Sequence, residues 1–386
     1  MERGYKYTDR YAERTSNITN TGRDMIKISR REFIKISAAG VGAALVSGRK
    51  AEVKGYLPDV QPSYRLGRCL HTVEIKSKPD PDSNTLEVKY EDDILICDRE
   101  VIGKAYSIYP TLRLWYETPI GYVRGWSVQP VKMDLNEPIE ELPTYGQQPG
   151  MWAEVTVPYV DIYLDNPPAR SPLLMEMKFP RLHFSQIVWI DGIKIGSQGE
   201  ILYHVTEKHG SYGDTFWAEA KAFKIITPEE TATIHPEIED KRIVVDVTHQ
   251  TISCYENNSE ILFDRVSTGA KFNNIGEKVD FWATPVGDYH VVNRKYLSLH
   301  MAGGTAASGY ELFAVSWTSI FATGGVAFHS TFWHNNYGIP MSHGCVNLRP
   351  DVAKFIFRWT QPFCAYDPGV IEILGYAGTK VSVIEY

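Results

Sequence analysis

Short runs of alternating apolar and polar residues recur along the chain after residue 55, and they constrain the fold more than any other feature. Residues 85–90 (TLEVKY) and 112–116 (LRLWY) are two examples. Alternation with a period of two places one set of side chains in a core and the other in solvent, as in a half-buried β-strand. The clearest helical spacing of apolar residues is in residues 351–359, between Pro350 and Pro362. The sequence therefore predicts a mainly β protein with one helix near its C-terminus.

Two polar, proline-containing stretches divide the chain of 386 residues, which is too long for one average domain. These stretches, residues 133–150 and 227–236, have the composition of linkers. The predicted organisation is a leader at residues 1–50, β modules at residues 55–132 and 151–228, and a C-terminal domain at residues 238–386.

The two N-terminal β modules resemble each other, because each ends in an aromatic strand that contains both Gly and Trp. These strands are residues 121–128 (GYVRGWSV) and 213–220 (GDTFWAEA). Glycines beside a strand allow the tight corner of a small barrel. Both modules resemble bacterial SH3-like barrels, which in exported proteins bind cell-wall peptides or act as spacers. The sequence leaves both roles open.

The leader has the layout of an export signal. Arg30 and Arg31, with Phe33 close behind, precede a short, weakly apolar stretch at residues 36–46. This order resembles a twin-arginine signal and predicts an exported protein of the cell envelope, in the periplasm or cell wall. An amphipathic helix that happens to carry two arginines is the alternative. No clear cleavage site follows residue 46, so the sequence allows either cleavage or retention as a membrane anchor.

The charge of the chain argues against nucleic acid as a partner. The formal net charge is -7, and nucleic-acid-binding proteins present a basic surface instead. No uninterrupted apolar run approaches the roughly 18 residues that suggest a membrane span.

Reactive side chains concentrate in residues 329–348 (HSTFWHNNYGIPMSHGCVNL). The thiol of Cys345 needs a base, because cysteine is mostly protonated at neutral pH. His343 is too near in sequence to present its ring easily, whereas His329 lies far enough back for the chain to return. Gly344 lets a substrate approach the backbone closely, and the N–H groups of residues 343–345 could form an oxyanion hole. From the residues alone, a buried structural cysteine and a zinc site that also uses His334 stay open.

Residues 342–347 (SHGCVN) resemble the signature of the L,D-transpeptidase catalytic domain, in which a histidine precedes Ser/Thr-His-Gly-Cys by a dozen or so residues. Residues 267–269 (STG) and 283–289 (ATPVGDY) resemble two further segments of that family, in the expected order. The resemblance implies a β sandwich or barrel with one helix. It assigns the nucleophile to Cys345, the base to His329 and its orientation to the Ser330 carbonyl. It also gives orienting roles to His343 and Gly344, and substrate contacts to Asn347, Trp333 and Met301.

The implied reaction is acyl transfer between peptidoglycan stem peptides through a thioester on Cys345, with no cofactor or metal. Carbapenem-type inhibitors are the implied ligands. An L,D-carboxypeptidase or a wall-protein-anchoring enzyme would use the same site, and a non-catalytic wall-binding protein is a further alternative. A papain-like endopeptidase is disfavoured, because its cysteine precedes its histidine and no histidine follows Cys345.

The other four cysteines are Cys69, Cys97, Cys254 and Cys364. Cys69 could pair with Cys97, and Cys254 could pair with Cys364. Connectivity cannot be deduced from sequence, and four buried free thiols are at least as compatible with it.

Overall fold

The computed structural model describes residue 57 and residues 65–107, 109–146, 148–177, 180–272, 277–303, 309–375 and 377–386. Contacts between Cα atoms group residues 55–303 and 310–386 into one compact unit. The other unit, residues 1–54 and 304–309, falls almost entirely outside the described residues. The predicted twin-arginine leader therefore lies outside the described part of the chain, and its export function stays a prediction.

The first block contains eight short strands. They are β1 (Leu66–Cys69), β2 (Val73–Lys76), β3 (Thr85–Lys89), β4 (Ile94–Ile96), β5 (Arg99–Ile102), β6 (Leu114–Glu117), β7 (Tyr122–Arg124) and β8 (Val128–Val131). One sheet has the order β4-β1-β8 and the other β3-β2-β7-β6-β5. Alternating residues of these strands, such as Val73 and Ile75 of β2, point into a small core with Val123 and Val128.

The second block contains eight strands and one short helix. They are β9 (Met151–Val155), β10 (Tyr159–Asp161), β11 (Tyr163–Leu164), α1 (Pro172–Glu176), β12 (Arg181–His183), β13 (Ile187–Ile195), β14 (Ile201–Thr206), β15 (Phe216–Glu219) and β16 (Phe223–Ile225). Six strands form a sheet in the order β11-β15-β14-β13-β9-β16, and β10 pairs with β12. A further short helix, α2 (Pro228–Thr231), lies in the stretch that the sequence predicts to be a linker.

The ends of the two blocks follow the same plan. In the first, a 3-10 turn at Gly125–Ser127 joins β7 to β8, and in the second a 3-10 turn at Ala220–Ala222 joins β15 to β16. The repeat seen in the sequence is therefore also present in the structure. The assignment of both blocks to the SH3-like class, and their exact boundaries, stay predictions.

The third block is a β sandwich with one long helix, as predicted. Its elements are β17 (Lys241–Asp246), β18 (Thr251–Glu256), β19 (Ser259–Arg265), β20 (Gly287–Val291), β21 (Arg294–Gly303), β22 (Tyr310–Ala322), β23 (Val326–Ser330), β24 (Val346–Leu348), α3 (Pro350–Trp359), β25 (Val370–Glu372) and β26 (Lys380–Ile384). 3-10 turns lie at Asp280–Trp282 and Thr323–Gly325. Two five-stranded sheets have the orders β19-β18-β17-β26-β20 and β24-β23-β22-β21-β25. The prediction of a mainly β protein is confirmed.

The predicted helix α3 ends against two buried lysines. The ammonium of Lys295 donates to the carbonyl oxygens of Phe357 and Thr360, and that of Lys241 donates to Trp359. The last carbonyls of a helix have no partner within it, and cations near its C-terminus are favourable. Burial lowers the pKa of Lys295 to about 7. These contacts fix the helix that follows β24 and so anchor the strand that follows Cys345.

One apolar core joins the second block to the sandwich. Trp152, Ile187 and Ile226 are fully buried in the same cluster as Phe328 and Val346, which flank the candidate site. Burying a large apolar side chain stabilises a fold by about 1.5–3 kcal/mol. Part of the apolar core of the sandwich therefore consists of side chains from residues that precede it in the chain. No helix among the described residues has both the length and the apolar character needed to cross a bilayer.

Candidate active site

His329 lies on β23 and is 2% exposed. Its Nδ1 is 2.9 Å from the Ser330 carbonyl oxygen. A carbonyl can only accept, so Nδ1 carries the proton and Nε2 keeps a free lone pair. Burial lowers the pKa of His329 to about 4, although the Ser330 carbonyl opposes this shift. The imidazole is therefore neutral at rest, with Nε2 available to accept a proton.

Cys345 comes directly before β24, which pairs in parallel with β23 and places Asn347 opposite His329. Burial raises the pKa of the half-buried Cys345 thiol to about 11, with a smaller opposing effect of the Ala327 N–H. The thiol is thus protonated at rest. Since His329 is also neutral, the two groups do not form a resting ion pair, and an attack by sulfur would require the thiol proton to leave first.

The thiol and the imidazole share one cavity of about 220 Å³. Its wall consists of Met301, Tyr310, Leu312, His329, Trp333, Met341, Ser342, His343, Cys345 and Asn347. All the predicted site residues except Ser330 and Gly344 therefore line this cavity. Ser330 acts from behind His329, and Gly344 lies in the turn that carries Cys345.

Residues 342–345, which we name the cysteine turn, depend on a glycine and a serine. Gly344 has a φ of 123°, a conformation that side chains rarely adopt. Ser342 Oγ donates to the Cys345 carbonyl at 2.5 Å and accepts the Gly344 N–H at 3.1 Å. The Gly344 N–H is therefore occupied. Among the described residues the N–H groups of His343 and Cys345 have no acceptor, which leaves these two as candidate oxyanion donors.

Two preceding segments hold the cysteine turn. The N–H of Ser342 donates to the Thr268 carbonyl at 3.0 Å. The hydroxyl of Thr284 donates to the Gly344 carbonyl at 2.8 Å and accepts the Gly269 N–H at 2.9 Å. These residues belong to the two segments whose family resemblance the sequence shows. Their sequence signal was present, but the bridging role of Thr284 becomes visible only in the structure.

His334 and Asn347 form a buried pair behind His329. The Asn336 N–H donates to His334 Nδ1 at 3.2 Å, so the His334 proton sits on Nε2. Nε2 is 2.7 Å from the Asn347 carboxamide. With Asn347 Nδ2 in that position, two donors would face each other and the buried Oδ1 would lack a partner among the described residues. A half-turn of the amide lets Asn347 Oδ1 accept the Nε2–H of His334.

His343 and Trp333 occupy different parts of the wall. The exposed His343 ring lies 4.5 Å from the Trp282 ring and 5.3 Å from the Tyr310 ring, centroid to centroid. Partial burial lowers its pKa. The Trp333 ring stacks on His329 at 5.7 Å. The structure therefore favours His329 over His343 as the base and gives Trp333 a place beside it.

The family comparison agrees with this geometry. The profile of the YkuD L,D-transpeptidase catalytic domain matches residues 240–383. These residues are an L,D-transpeptidase catalytic domain. No curated protein matched the chain.

Solved transpeptidase structures are similar to parts of the chain. An L,D-transpeptidase of Enterococcus faecium is 24% identical over 39% of this chain and 52% of its own, with a TM-score of 0.28. One from Mycobacterium smegmatis is 17% identical over 50% of this chain and 93% of its own, with a TM-score of 0.29. LdtMt1, in complex with imipenem, is 16% identical over 64% of this chain and 100% of its own, with a TM-score of 0.29. The chain spans about half the length of the E. faecium enzyme.

Within the transpeptidase domain and the blocks before it, all five cysteines are unpaired thiols. Burial raises the pKa of Cys69, Cys97 and Cys364 to about 12, and that of Cys254 further. Cys345 alone is partly accessible and lines a cavity with a histidine. In the described ranges, no group of three or more His, Cys, Asp and Glu side chains is arranged to hold a metal.

Sequence reasoning missed the residues outside the transpeptidase domain that hold its active-site loop. Residues 331–337, which we name the base-side loop, follow β23 directly. Arg68 Nη2 donates to the Phe332 carbonyl at 2.5 Å, and the Asn335 amide donates to two carbonyls of the first block. His183 stacks on the Phe332 ring. Arg68 and Phe332 are 264 residues apart in the chain, and no local pattern links them.

Proposed function

We propose that the chain is an exported L,D-transpeptidase that forms peptidoglycan cross-links through a thioester on Cys345. The observation that carries this proposal is the shared cavity in which His329 Nε2 is free while Nδ1–H is bound to Ser330. A neutral imidazole held in that tautomer can accept the thiol proton. An enzyme that acts on peptidoglycan has to be exported, because peptidoglycan lies outside the cytoplasmic membrane. The predicted twin-arginine leader supports this part of the proposal.

The first half-reaction forms the acyl-enzyme. Sulfur of Cys345 attacks the carbonyl between the third residue of a donor stem peptide and its terminal D-alanine, while His329 Nε2 takes the thiol proton. The N–H groups of His343 and Cys345 stabilise the oxyanion of the tetrahedral intermediate. The C–N bond then breaks, His329 returns the proton to the departing amine, and D-alanine leaves.

The second half-reaction consumes the thioester. The neutral side-chain amine of an acceptor stem attacks the thioester carbonyl, and His329 accepts a proton from the attacking nitrogen. The C–S bond breaks, the Cys345 thiolate takes the proton back, and an amide cross-link between two third residues results. Trp333, Met301 and Asn347 line the cavity in which the donor peptide would lie.

Carbapenems are the inhibitors that we expect at this site. Their strained amide presents a carbonyl to the same nucleophile, the same base and the same two N–H groups. The solved LdtMt1 structure is described as a complex with imipenem, which supports this expectation for a related catalytic domain.

The reaction is tested by incubating the full chain with disaccharide-tetrapeptide muropeptides and analysing the products by mass. We expect dimers that have lost one terminal D-alanine, and none with Cys345→Ala. Cys97→Ala, which removes a buried thiol that does not line the cavity, is the matched control and should retain activity. Tripeptide monomers alone would identify a carboxypeptidase, and the absence of any product would contradict an enzymatic role.

Export is tested by cell fractionation. Replacing both arginines, Arg30→Lys and Arg31→Lys, should keep the protein in the cytoplasm if the leader is a twin-arginine signal. Unchanged export of this variant would remove the twin-arginine part of the proposal and leave the reaction untouched.

A further inference from the structure

The two halves of β22 pack against different parts of the molecule. The C-terminal half packs into the apolar core of the sandwich, through Trp317 and Phe321. In the N-terminal half, Phe313 and Ala314 are instead buried in the core of the second block, in the same cluster as Tyr203. The hairpin of β21 and β22 is therefore shared between the catalytic domain and the block that precedes it in the chain.

An irregularity in the pairing of β21 with β22 separates the two halves. The register shifts by one residue between Leu299 and Met301 of β21, where β22 accommodates both Phe313 and Ala314. We name these two residues the β22 bulge. Ala314 has a φ of 49°, which residues other than glycine rarely adopt. Bulges of this kind redirect the side chains of a strand, and they are frequent next to active sites.

The β22 bulge determines which side chains reach the thiol cavity. Side chains alternate between the two faces of a strand, so a shift of one residue reverses the face that each one occupies. With the bulge in place, Tyr310 and Leu312 lie on the same face as Met301, and all three line the cavity with Cys345. We name these three the hairpin side chains. Without the bulge, and with the rest of β22 unchanged, Tyr310 and Leu312 would point to the opposite face.

Two buried side chains of the second block hold the backbone of the β22 bulge. Gln186 Nε2 donates to the Phe313 carbonyl at 2.6 Å, and one carboxylate oxygen of Glu207 accepts the Ala314 N–H at 2.6 Å. The amide of Gln186 is fixed in this orientation, because its oxygen accepts the His183 N–H at 2.6 Å. Buried backbone groups need hydrogen-bond partners, and a bulge disrupts the regular ones. Gln186 and Glu207 therefore stabilise the conformation that the bulge requires.

The carboxylate of Glu207 also holds the strand opposite the bulge. Its second oxygen lies 2.7 Å from His300 Nδ1, and His300 Nε2 lies 3.2 Å from Glu311. Glu311 accepts hydrogen bonds from the Ser171 hydroxyl and from the Leu173 N–H of the second block. His300 and Glu311 each directly precede one of the hairpin side chains. Both strands of the hairpin are thus bound to the second block beside the residues that line the cavity.

We propose that Gln186 and Glu207 are positioning residues for the donor peptide, because they hold the β22 bulge and the bulge directs the hairpin side chains into the thiol cavity. The proposal rests on the proposed function, since it requires a donor peptide at Cys345. The nucleophile and the base are held separately, by the cysteine turn and by β23. Loss of either positioning residue should therefore weaken substrate binding more than it slows the chemical step.

The test measures acylation of Cys345 by the disaccharide-tetrapeptide in the full chain, followed by intact-protein mass. Glu207→Ala should raise KM by about tenfold while kcat stays within about twofold, because displaced hairpin side chains weaken the binding of substrate and transition state alike. Gln186→Ala should act in the same direction. Glu207→Gln, whose amide oxygen can still accept the Ala314 N–H, should restore most of the wild-type KM.

The matched control is Lys208→Met, which removes the ion pair of the neighbouring residue with Asp367 of the catalytic domain, 2.5 Å long. Asp367 does not line the thiol cavity, so KM should stay at the wild-type value even if the fold loses stability. Thermal unfolding of every variant sets an assay temperature at which all are folded. If Glu207→Ala does not fold, Glu207→Asp replaces it, because the shorter side chain keeps its charge but cannot reach both Ala314 and His300, and KM should again rise.

An unchanged KM in the folded variants of Gln186 and Glu207 would overturn the inference. An equal rise of KM in Lys208→Met, or a loss confined to kcat, would overturn it as well, since either result would indicate a general effect on the fold. No acyl-enzyme in the wild-type chain would instead contradict the proposed function.

Discussion

The two walls of the thiol cavity are supported by different parts of the molecule. The cysteine turn is held by Thr268 and Thr284, both inside the transpeptidase domain. The base-side loop is held by Arg68 and by carbonyls of the first block. Cys345 is therefore positioned by the catalytic domain itself, whereas part of the cavity wall is held by residues more than 200 positions away in sequence. Changes on the first side should affect chemistry, and changes on the second should affect substrate binding.

The largest effect on the acylation rate is expected at His329, which lies on β23 of the catalytic domain. His329→Ala should slow carbapenem acylation of Cys345 by about 10²-fold or more, the usual scale for losing a general base. Stopped-flow acylation with peptide mapping of the adduct measures this. His343→Ala is the comparison and should have a smaller effect. Normal acylation in His329→Ala would move the base to another residue.

Arg68→Met tests the other wall. It removes the donor to the Phe332 carbonyl and the buried partner of Asp92, so we expect a loss of about 2–4 kcal/mol in the free energy of unfolding. KM for the donor peptide should rise more than kcat falls. Arg181→Met, which also binds Asp92 but makes no hydrogen bond to the base-side loop, should destabilise the fold without the KM effect. Equal KM changes in both variants would show that the loop does not need Arg68.

Thr284→Val tests the support of the cysteine turn. The change keeps the side-chain shape but removes the hydroxyl that bridges the Gly269 N–H and the Gly344 carbonyl. We expect a loss of about 1–3 kcal/mol in stability and a lower acylation rate with little change in KM. Ser319→Ala, which removes a buried hydroxyl without a hydrogen-bond partner among the described residues, is the control and should leave the acylation rate unchanged. A raised KM in Thr284→Val would contradict the expectation that this wall affects the chemical step and not substrate binding.

The smallest effect concerns pH and the contact between the second block and β21–β22. His300 lies 2.7 Å from Glu207 and 3.2 Å from Glu311. Burial lowers its pKa, but the two carboxylates outweigh burial and raise it. A raised folded-state pKa stabilises the fold fully below about pH 6.5, the unfolded value, and this stabilisation is lost as pH rises through the folded value.

Urea unfolding of the wild-type chain and of His300→Gln across pH 6–9 measures this contribution. The difference in stability between the two proteins should shrink as pH rises. A constant difference would mean that His300 contributes by packing alone. The lowered pKa of His329 has the opposite pH dependence. The contribution of His329 to the stability of the fold is present above about pH 6.5 and is lost as pH falls toward 4.

The sequence predicted what is encoded locally. The alternation of residues 85–90 indicated β3, the helical spacing after Pro350 indicated α3, and the motif around Cys345 indicated the cavity with His329. Those signals are short-range, and each depends on a few neighbouring side chains. The contacts of Arg68 with Phe332, and the shared core of Trp152 with the sandwich, depend on tertiary packing that no local pattern contains. The sequence predicted an oxyanion hole of three N–H groups, from residues 343–345. In the structure only two of them are free to act as donors, because the Gly344 N–H donates to Ser342 Oγ.

The raised pKa of Cys345 has a consequence for the oxidation of this thiol. Peroxides and disulfides react with thiolate, not with thiol. At pH 7 a group with a pKa of about 11 is ionised in only about one molecule in 10⁴. The sulfur is thus protected from oxidants while the site is empty, and under the proposed mechanism it becomes nucleophilic only when a bound carbonyl and His329 are aligned with it. For the exported enzyme that we propose, which would have no access to cytoplasmic reductants, a thiol that is inert between turnovers is an advantage.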